Sequence, residues 1–445
     1  MASDLLSIAR AGAKTARSAL DVTAQNIANA STAGYVRRSV EIGEVAAVGN
    51  LSNTGDVTLV GSRVVGIVRN ADAFRQAEVR RTNADASRAN AEVTGLENIE
   101  SAVEQSGVYN SIVEFEGALQ QLAADPVDPS LRAAALESTR TMTRTFNIAA
   151  SSLDAVGNGL RFEAQDGTGQ VNLLSAELAR VNLRLARAQD GTGGQTVLLD
   201  QRDQLLEKLS GLVDITTTVG ADQTVQVRLG GASGPQLVDR GTSATFAMAT
   251  AGDGTISFTL DGAPVAPSSG SLAGKGQALV KLNDMRGKLD TVANSIMTTL
   301  NTAQANGVAL DGTPGQPLLT GTGAGDMTLG FEDGAKIATA PAGAGANSRD
   351  PANLSALRTA IGAADPAAAM DALVFDISSA VAGRSVTRDA LDTIASTARI
   401  SLQAQAGVDL DQEAVNLLRY QQAFQASGRV MQVASDIFDT ILGIR

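Results

Sequence analysis

Apolar residues recur at helical spacing near the N-terminal end of the chain, and the charges fall between them. This N-terminal stripe consists of small and aliphatic residues, namely Leu6, Ala9, Ala13, Ala16, Leu20 and Ile27. Apolar residues at the first and fourth places of a seven-residue repeat are typical of a helix that packs against a partner helix in a coiled coil. The pattern therefore predicts a helix over residues 1–30, with Gly34 as the stop.

The C-terminal end shows the same repeat with larger side chains. This C-terminal stripe consists of Leu410, Leu417, Tyr420, Phe424, Met431, Phe438 and Ile441. Asp409 and Gln412 resemble a capping box and predict the start of the helix. Glu413 is the only charge within the repeat, and we expect it to lie at the frayed helix start. Because the small side chains of one stripe complement the large ones of the other, we predict that the two terminal helices pair.

The pattern between the terminal helices changes twice. Residues 36–68 are rich in Val, with Gly and Asn between, which predicts short strands or extended chain. Helical spacing covers 70–124 with a break near Gly107, and it resumes over 130–153, 172–188 and 197–212.

Strict alternation of apolar and polar residues then appears between residues 213 and 262. It places Val225, Val227 and Leu229 on one face of a strand, and Ile256, Phe258 and Leu260 on one face of another. Helical spacing returns over 277–305. After a loop at 307–346 that is rich in Gly and Pro, it resumes near Asp350 and covers 367–405.

These elements predict a mainly α fold with a small β insertion. The order of elements is nested, because helices precede and follow the β segment. We therefore expect a terminal α-helical coiled-coil domain from 1–34 and 408–445, in which the terminal helices pair. Residues 35–211 and 274–407 would form a middle domain of long helices with short strands, and 212–273 an outer β module.

The composition argues against most enzymes. The chain of 445 residues contains no His, Cys or Trp, and only 3% of its residues are aromatic. Histidine acid–base catalysis, thiolate chemistry and ordinary zinc sites are therefore excluded. A formal charge of −12 makes binding of nucleic acid by net charge unfavourable. We predict no catalytic residue, no metal site and no cofactor.

Several glycine-rich segments resemble ligand-binding loops only in part. Gly270 to Gly276 includes Lys275, but it lacks the spacing and the following Ser or Thr of a phosphate-binding loop. Asp311 begins a segment that lacks the terminal Glu of a calcium loop. Paired carboxylates could hydrolyse a glycosidic bond without histidine, but here the acids lie mostly on solvent-facing helix positions. An enzyme or a soluble binding module would require a convergent polar pocket.

The chain has neither a run of 18 apolar residues nor a basic segment before an apolar one at its start. We therefore expect no transmembrane helix, no membrane partner and no cleaved secretory signal.

The terminal motifs resemble those of a known family. The segment Asn26-Ile-Ala-Asn29-Ala-Ser-Thr-Ala-Gly34-Tyr35 resembles the N-terminal motif of bacterial flagellar rod, hook and hook-associated proteins. The run from Leu410 through Ser427 and the end from Asp439 to Ile444 are similar to the hook-associated protein 1 family in particular. The segments 198–206 and 346–350 agree with it. Ala33 departs from the family, which often has Pro there, and the β insertion is small.

The resemblance implies a structural role. Members of that family join the hook to the filament, assemble as a ring through their terminal helices and contact hook subunits and a second junction protein. They leave the cytoplasm uncleaved through the flagellar type III export channel, and an export chaperone covers the C-terminal helix beforehand. The expected location is thus the extracellular flagellum, at the hook–filament junction. The alternative is another axial protein: a hook or distal rod subunit, or the second junction protein.

Overall fold

The computed structural model describes residues 2–48 and 57–442. Most of the described residues are helical. The helices are α1 (Ala2–Ala28), α2 (Ala73–Glu104), α3 (Val108–Ala124), α4 (Pro129–Leu185), α5 (Gly193–Leu212), α6 (Ser271–Ala305), α7 (Ala352–Ala364), α8 (Pro366–Ala406) and α9 (Leu410–Leu442).

The strands of the described residues are short outside one hairpin. They are β1 (Arg38–Val48), β2 (Val57–Arg69), β3 (Ile215–Val219), β4 (Val225–Leu229), β5 (Gln236–Asp239), β6 (Thr242–Ser243), β7 (Phe246–Thr250), β8 (Ile256–Leu260), β9 (Ala263–Val265), β10 (Gly307–Val308), β11 (Leu319–Thr320), β12 (Thr328–Leu329) and β13 (Ala340–Pro341). The predicted fold class, mainly α with a small β component, is confirmed.

The sheets of the described residues are all antiparallel. β1 pairs with β2 along their length, and Arg38 lies opposite Arg69 at one end. Two register shifts along the pair mark β-bulges. β3 to β6 form a four-stranded sheet in chain order, and β7 to β9 form a three-stranded one. In the pairs β10–β13 and β11–β12 each strand is two residues long. These pairs join parts of the loop after α6 by backbone hydrogen bonds.

The chain divides into two compact units. Unit 1 comprises Met1–Ala84, Gln170–Thr245 and Asp392–Arg445, and unit 2 comprises Asp85–Gly169 and Phe246–Leu391. The boundary at Thr245 separates β6 from β7, so the segment 212–273 contributes one sheet to each unit. Alternation along the sequence marks a strand but does not say which strands pair, because pairing depends on contacts distant in sequence. The three-part division into domains stays a prediction.

The prediction of separate helices at 130–153 and 172–188 was wrong, because α4 runs unbroken for 57 residues. The four glycines between residues 157 and 169 each cost only about 1 kcal/mol relative to Ala in a helix. A continuous apolar face outweighs that cost. Its buried members are Leu153, Leu160, Ala164, Val171, Leu178 and Leu185.

Unit 2 contains an apolar core and a buried guanidinium. Phe115, Phe146 and Met142 are almost inaccessible to solvent. The Arg132 side chain is 1% exposed and donates hydrogen bonds to the carbonyl oxygens of Pro126, Gly334 and Ile337 and to the hydroxyl of Thr339. Because those bonds satisfy the guanidinium, it can lie inside and hold the loop before β13 in place.

Candidate assembly interface

The two terminal helices of unit 1 pack against each other in opposite directions. Gly12, in the middle of α1, lies beside Ser427 in the middle of α9, where an added Cβ would come within 3.0 Å of the serine Oγ. Arg37, beyond the end of α1, contacts Glu413 at the start of α9. The small residues of α1 therefore allow the close approach that the sequence pattern predicts.

The N-terminal stripe is only partly buried within one chain. Ala9, Ala13 and Ala16 are buried, Leu20 is half-buried, and Leu6 and Ile27 are exposed. The buried face of α1 is also broader than the predicted narrow stripe, since it includes Thr15, Ala19, Val22, Thr23 and Asn26. The reason is a second neighbour, because the β1–β2 hairpin also packs on α1.

The C-terminal stripe is more exposed. Leu417, Tyr420 and Met431 are half-buried, and the side chain of Ile441 falls outside the described residues. The other members remain exposed: Leu410 at 54%, Phe424 at 44% and Phe438 at 51%. Pairing with α1 thus leaves much of this stripe open.

Further large apolar side chains of both helices face solvent in the single chain. They are Leu5 and Ile8 on α1 and Val415, Leu418, Val430, Val433 and Ile437 on α9. An exposed apolar surface of this extent is typical of a protein interaction site. The role of the two stripes as a subunit interface stays a prediction.

A polar cluster joins the end of α1 to the start of β1. The buried Asn26 side chain donates to the Arg38 carbonyl oxygen and accepts from the Arg38 N–H, at 2.8 and 3.1 Å. The Tyr35 hydroxyl donates to the same amide oxygen at 2.8 Å. The Arg38 guanidinium lies over the Tyr35 ring, 4.8 Å from its centroid. Asn26 and Tyr35 therefore position the first strand relative to the helix.

The two other motif residues shape the turn between α1 and β1. The Asn29 side-chain amide donates to the Gln25 carbonyl oxygen, and its oxygen accepts from the Thr32 hydroxyl. Gly34 has φ of 75°, in the left-handed region. A Cβ at Gly34 would also lie 2.6 Å from the amide nitrogen of Gln204.

We expect Gly34→Ala to destabilise unit 1. The left-handed backbone costs a residue with a Cβ about 1–2 kcal/mol, and the Gln204 amide must also leave the Ala33 carbonyl oxygen to which it donates. Urea unfolding of the purified chain measures the loss. The matched control is Gly428→Ala in α9, where a Cβ would meet no described atom within 4 Å. That change favours the helix, and equal losses in both variants would contradict the explanation.

An ion-pair chain extends this cluster into α5. Arg38 contacts Asp200 at 2.7 Å, and Arg69 bridges Asp200 and Asp203 at 2.8 Å each. Asp203 also accepts from the side chains of Gln76 and Arg202. The side chains of Arg38 and Arg69 are 7% and 6% exposed. The hairpin and α5 are therefore held together by charges that water hardly reaches.

The pKa values of the two carboxylates shift in opposite directions. Burial raises the pKa of Asp200, and Arg69 and Arg38 offset only part of that effect. Burial also acts on Asp203, but Arg202 and Arg69 outweigh it, so the pKa of Asp203 lies below its usual value. The stabilisation by Asp203 is present above its unfolded-state pKa and is lost as the pH falls through the folded-state pKa. The raised pKa of Asp200 has the opposite effect on stability. Its contribution is present below the unfolded-state pKa and is lost as the pH rises through the folded-state pKa.

Glu413 is not at a frayed helix end, so that expectation was wrong. Its side chain is 1% exposed, and Oε1 accepts from Arg37 Nε at 2.7 Å. The helix start is fixed because Asp409 Oδ1 accepts from the backbone N–H groups of Asp411 and Gln412. The predicted cap is therefore present. The Glu413 side chain takes no part in it and instead binds Arg37 in the connection between α1 and β1.

Sequence reasoning missed the charged members of this site. Arg37 and Arg38 are not among the predicted site residues, because their partners Glu413 and Asp200 lie 376 and 162 positions away along the chain. The sequence offered one signal for these partners. The segment 198–206, which resembles the family, includes Asp200 and Asp203.

Across residues 2–48 and 57–442, we find no helix with the length and apolarity needed to cross a membrane. Over the same residues, no three acidic side chains come close enough together to hold a metal ion.

Comparison with protein families matches three parts of the chain. A model described as the flagellar hook-associated protein FlgK helical domain matches residues 93–319, just over half of the chain. The flagella basal body rod protein model matches residues 6–35. The C-terminal model of the flagellar basal body rod FlgEFG proteins matches residues 403–444. The terminal matches contain the two predicted motifs.

Individual proteins agree with these matches. The flagellar hook-associated protein 1 of Bacillus subtilis is 24% identical over 98% of this chain and 97% of its own length. The protein of the same name from Escherichia coli is 24% identical over 55% of this chain and 45% of its own length. A solved structure, the flagellar hook junction protein FlgK from Burkholderia pseudomallei, is 23% identical, with a TM-score of 0.48, over 55% of this chain and 46% of that one.

The family model and the full-length relative bear out the resemblance that the terminal motifs indicated. The chain therefore belongs to the flagellar hook-associated protein FlgK family, whose members are structural components of the flagellar axis.

Proposed function

We propose that this protein joins the hook to the filament, as a ring of subunits held together by α1 and α9. The observation that carries the proposal is the exposed apolar surface of the paired terminal helices. Leu6, Phe424 and Phe438 lie on helices that already pack together, yet each remains about half exposed. A second copy that covers these side chains removes apolar area from water, which drives association.

The polar cluster supports this proposal because it fixes the base of the helix pair. Asn26 holds β1 to the end of α1, and Arg37 holds the start of α9 to the same connection. A rigid base lowers the entropy that each subunit loses on assembly. The proposed partners are other copies of this chain, hook subunits and the second junction protein.

An enzymatic role receives no support from the polar cleft beside this cluster, which is lined by residues including Asp203, Glu207 and Asp409. Each of these three carboxylates is engaged. Asp203 binds Arg69 and Arg202, Glu207 binds Arg399, and Asp409 caps α9. Carboxylates that are ion-paired or cap a helix are typical of a structural role rather than of acid–base catalysis.

The exposed face of α9 also supports the proposed export route. An apolar helix face that waits for assembly is prone to aggregate in the cytoplasm. An export chaperone that covers α9 would prevent this before the chain passes uncleaved through the flagellar type III channel. The functional location would then be the hook–filament junction outside the cell.

The test is electron microscopy of flagella from cells that lack this protein and from complemented cells. We expect hooks without filaments in the deletion strain, and antibody label only at the boundary between hook and filament after complementation. Label along the hook or in the rod would contradict the junction role and favour another axial function. Normal filaments in the deletion strain would exclude both the junction and an essential axial position.

A further inference from the structure

Two helices of unit 2 each expose a pair of large apolar side chains. On α4, Ile148 is 54% exposed and Phe162 is 77% exposed. On α8, Phe375 is 73% exposed and Val386 is 72% exposed. Because a helix turns by about 100° per residue, the two members of each pair lie on one face of their helix, three to four turns apart.

The positions between these side chains carry no charge. We call the two faces the α4 ridge, consisting of Ile148, Ser151, Ala155, Asn158 and Phe162, and the α8 ridge, consisting of Phe375, Ser379, Ala382, Val386 and Ala390. All ten positions are exposed. The exposed face of a helix normally carries charged residues. Phe74 on α2 shows the difference, since it is equally exposed at 74% but shares its face with Glu78 and Arg81.

The helices that carry the ridges lie on roughly opposite sides of α6. Arg286 of α6 forms an ion pair with Asp154 on α4. Lys288, two residues further along α6, forms an ion pair with Asp376 on α8. Two residues correspond to a rotation of about 200° around a helix. Within unit 2, α6 therefore has α4 on one side and α8 on the other.

Each ridge points away from the core of unit 2. On α4 the buried residue Leu153 is nine positions before Phe162, and on α8 the buried residue Ile377 is two positions after Phe375. These separations place the ridge about 160–180° around each helix from its buried face. One copy of unit 2 therefore presents two uncharged ridges on roughly opposite sides.

We propose that the α4 ridge of one copy packs against the α8 ridge of the next copy. This inference rests on the proposed ring of subunits, and it adds a contact between copies of unit 2 to the contact through the terminal helices. Two different surfaces on opposite sides of one unit associate head to tail. Head-to-tail contacts generate rings when the rotation closes, which is why a second copy of this chain fits both ridges.

The two ridges match in length and in the sizes of their side chains. The α4 ridge spans roughly 21 Å and the α8 ridge roughly 23 Å, at about 1.5 Å per residue. Each combines two large apolar side chains with three smaller ones. Large side chains of one helix can therefore pack into the gaps above the small residues of the other. Because neither ridge carries a charge, the contact buries no unpaired ion.

The area of the ridges explains why this contact needs a ring. An aromatic side chain buries about 150–250 Å², so the exposed parts of Phe162 and Phe375 together amount to roughly 300 Å². Even with the eight smaller side chains added, the ridges stay below the area of about 1,000 Å² that a stable interface needs. In a ring, α1 and α9 hold neighbouring copies at a high effective concentration, which makes a small second contact effective.

Engineered cysteines test the contact directly, because the chain has none of its own. Cells express two full-length copies with different tags, one with Ala155→Cys on the α4 ridge and one with Ala382→Cys on the α8 ridge. Both substitutions leave the large side chains of the ridges in place. Isolated flagella are treated with a short bismaleimide crosslinker. We expect a product that carries both tags.

The matched control replaces Ala382→Cys by Ala363→Cys, an exposed position on α7 in unit 2. It should give at least tenfold less product with both tags. If the protein is present at the junction and the 155–382 pair crosslinks no better than the control, the contact is wrong while the junction role stands. A dominant 155–155 or 382–382 product, or a product with a different flagellar protein, would also overturn the proposal. Absence of the wild-type protein from the junction would instead contradict the proposed function.

A second experiment measures the weight of the two aromatic side chains. Cells express wild type and a variant with different tags, and the ratio of variant to wild type in isolated flagella is measured. We expect Phe162→Ser and Phe375→Ser each to lower this ratio by about tenfold or more, as the loss of one buried aromatic side chain predicts. Phe162→Leu should retain most of the incorporation.

The control for this experiment is Phe74→Ser, which removes an equally exposed Phe from a charged face of unit 1. It should enter flagella as wild type does. Urea unfolding of the purified Phe162→Ser chain should match wild type, because the side chain is mostly exposed in the single copy. If Phe162→Ser and Phe375→Ser enter flagella as well as Phe74→Ser does, the ridges do not form the contact.

Discussion

We expect Arg38→Met to lower the free energy of unfolding of unit 1 by about 3–5 kcal/mol. The substitution removes one partner of a buried ion pair, and the side chains of Arg38 and Asp200 are only 7% and 10% exposed. Asp200 then retains Arg69 alone, although burial already raises the pKa of its carboxyl group. The stacking of the guanidinium on Tyr35 is lost as well.

Hydrogen exchange of β1 and α5 peptides measures this effect, because the two compact units need not unfold together. Arg399→Met is the matched control. It removes a guanidinium whose ion pair with Glu207 is 60% and 42% exposed, so it should change the stability by less than about 1 kcal/mol. If the two variants lose the same small amount, the buried cluster does not stabilise the hairpin as we infer.

Local patterns predicted most of the helices correctly. The break between α2 and α3 falls at Gly107, where φ of 73° cannot continue a right-handed helix. The cap at Asp409 is likewise encoded within four residues. Features of this kind depend on neighbours in sequence, so the sequence alone reveals them.

Features that depend on distant contacts could not be predicted in the same way. The burial of Glu413 requires Arg37, and the raised pKa of Asp200 requires both the hairpin and α5. The unbroken course of α4 depends on packing that offsets its glycines. For the site, the resemblance gave Asn26 and Tyr35 as motif residues, and the structure adds the hydrogen bonds that explain them.

The exposure of the C-terminal stripe has a consequence for assembly. Phe424 is 44% exposed in the single chain, so truncating it removes only part of a buried side chain there. In a ring, a neighbouring copy would bury the remainder, and truncation of a fully buried Phe costs about 3–5 kcal/mol. Slightly less than half of that cost falls on assembly, and each 1.4 kcal/mol is about tenfold in an equilibrium constant, so Phe424→Ala should weaken incorporation by about tenfold or more.

The measurement is the amount of each variant in flagella isolated from complemented cells, together with urea unfolding of the purified chain. Asp436→Ala, an exposed charged position on the same helix, is the matched control and should assemble nearly as wild type does. The informative quantity is the incorporation of Phe424→Ala chains that urea unfolding shows to be folded. A loss of incorporation of about tenfold or more among folded chains means that a second copy completes the burial of Phe424. Unchanged incorporation of folded chains means that Phe424 serves only the contact between α1 and α9, and the ring contact must then lie elsewhere on unit 1.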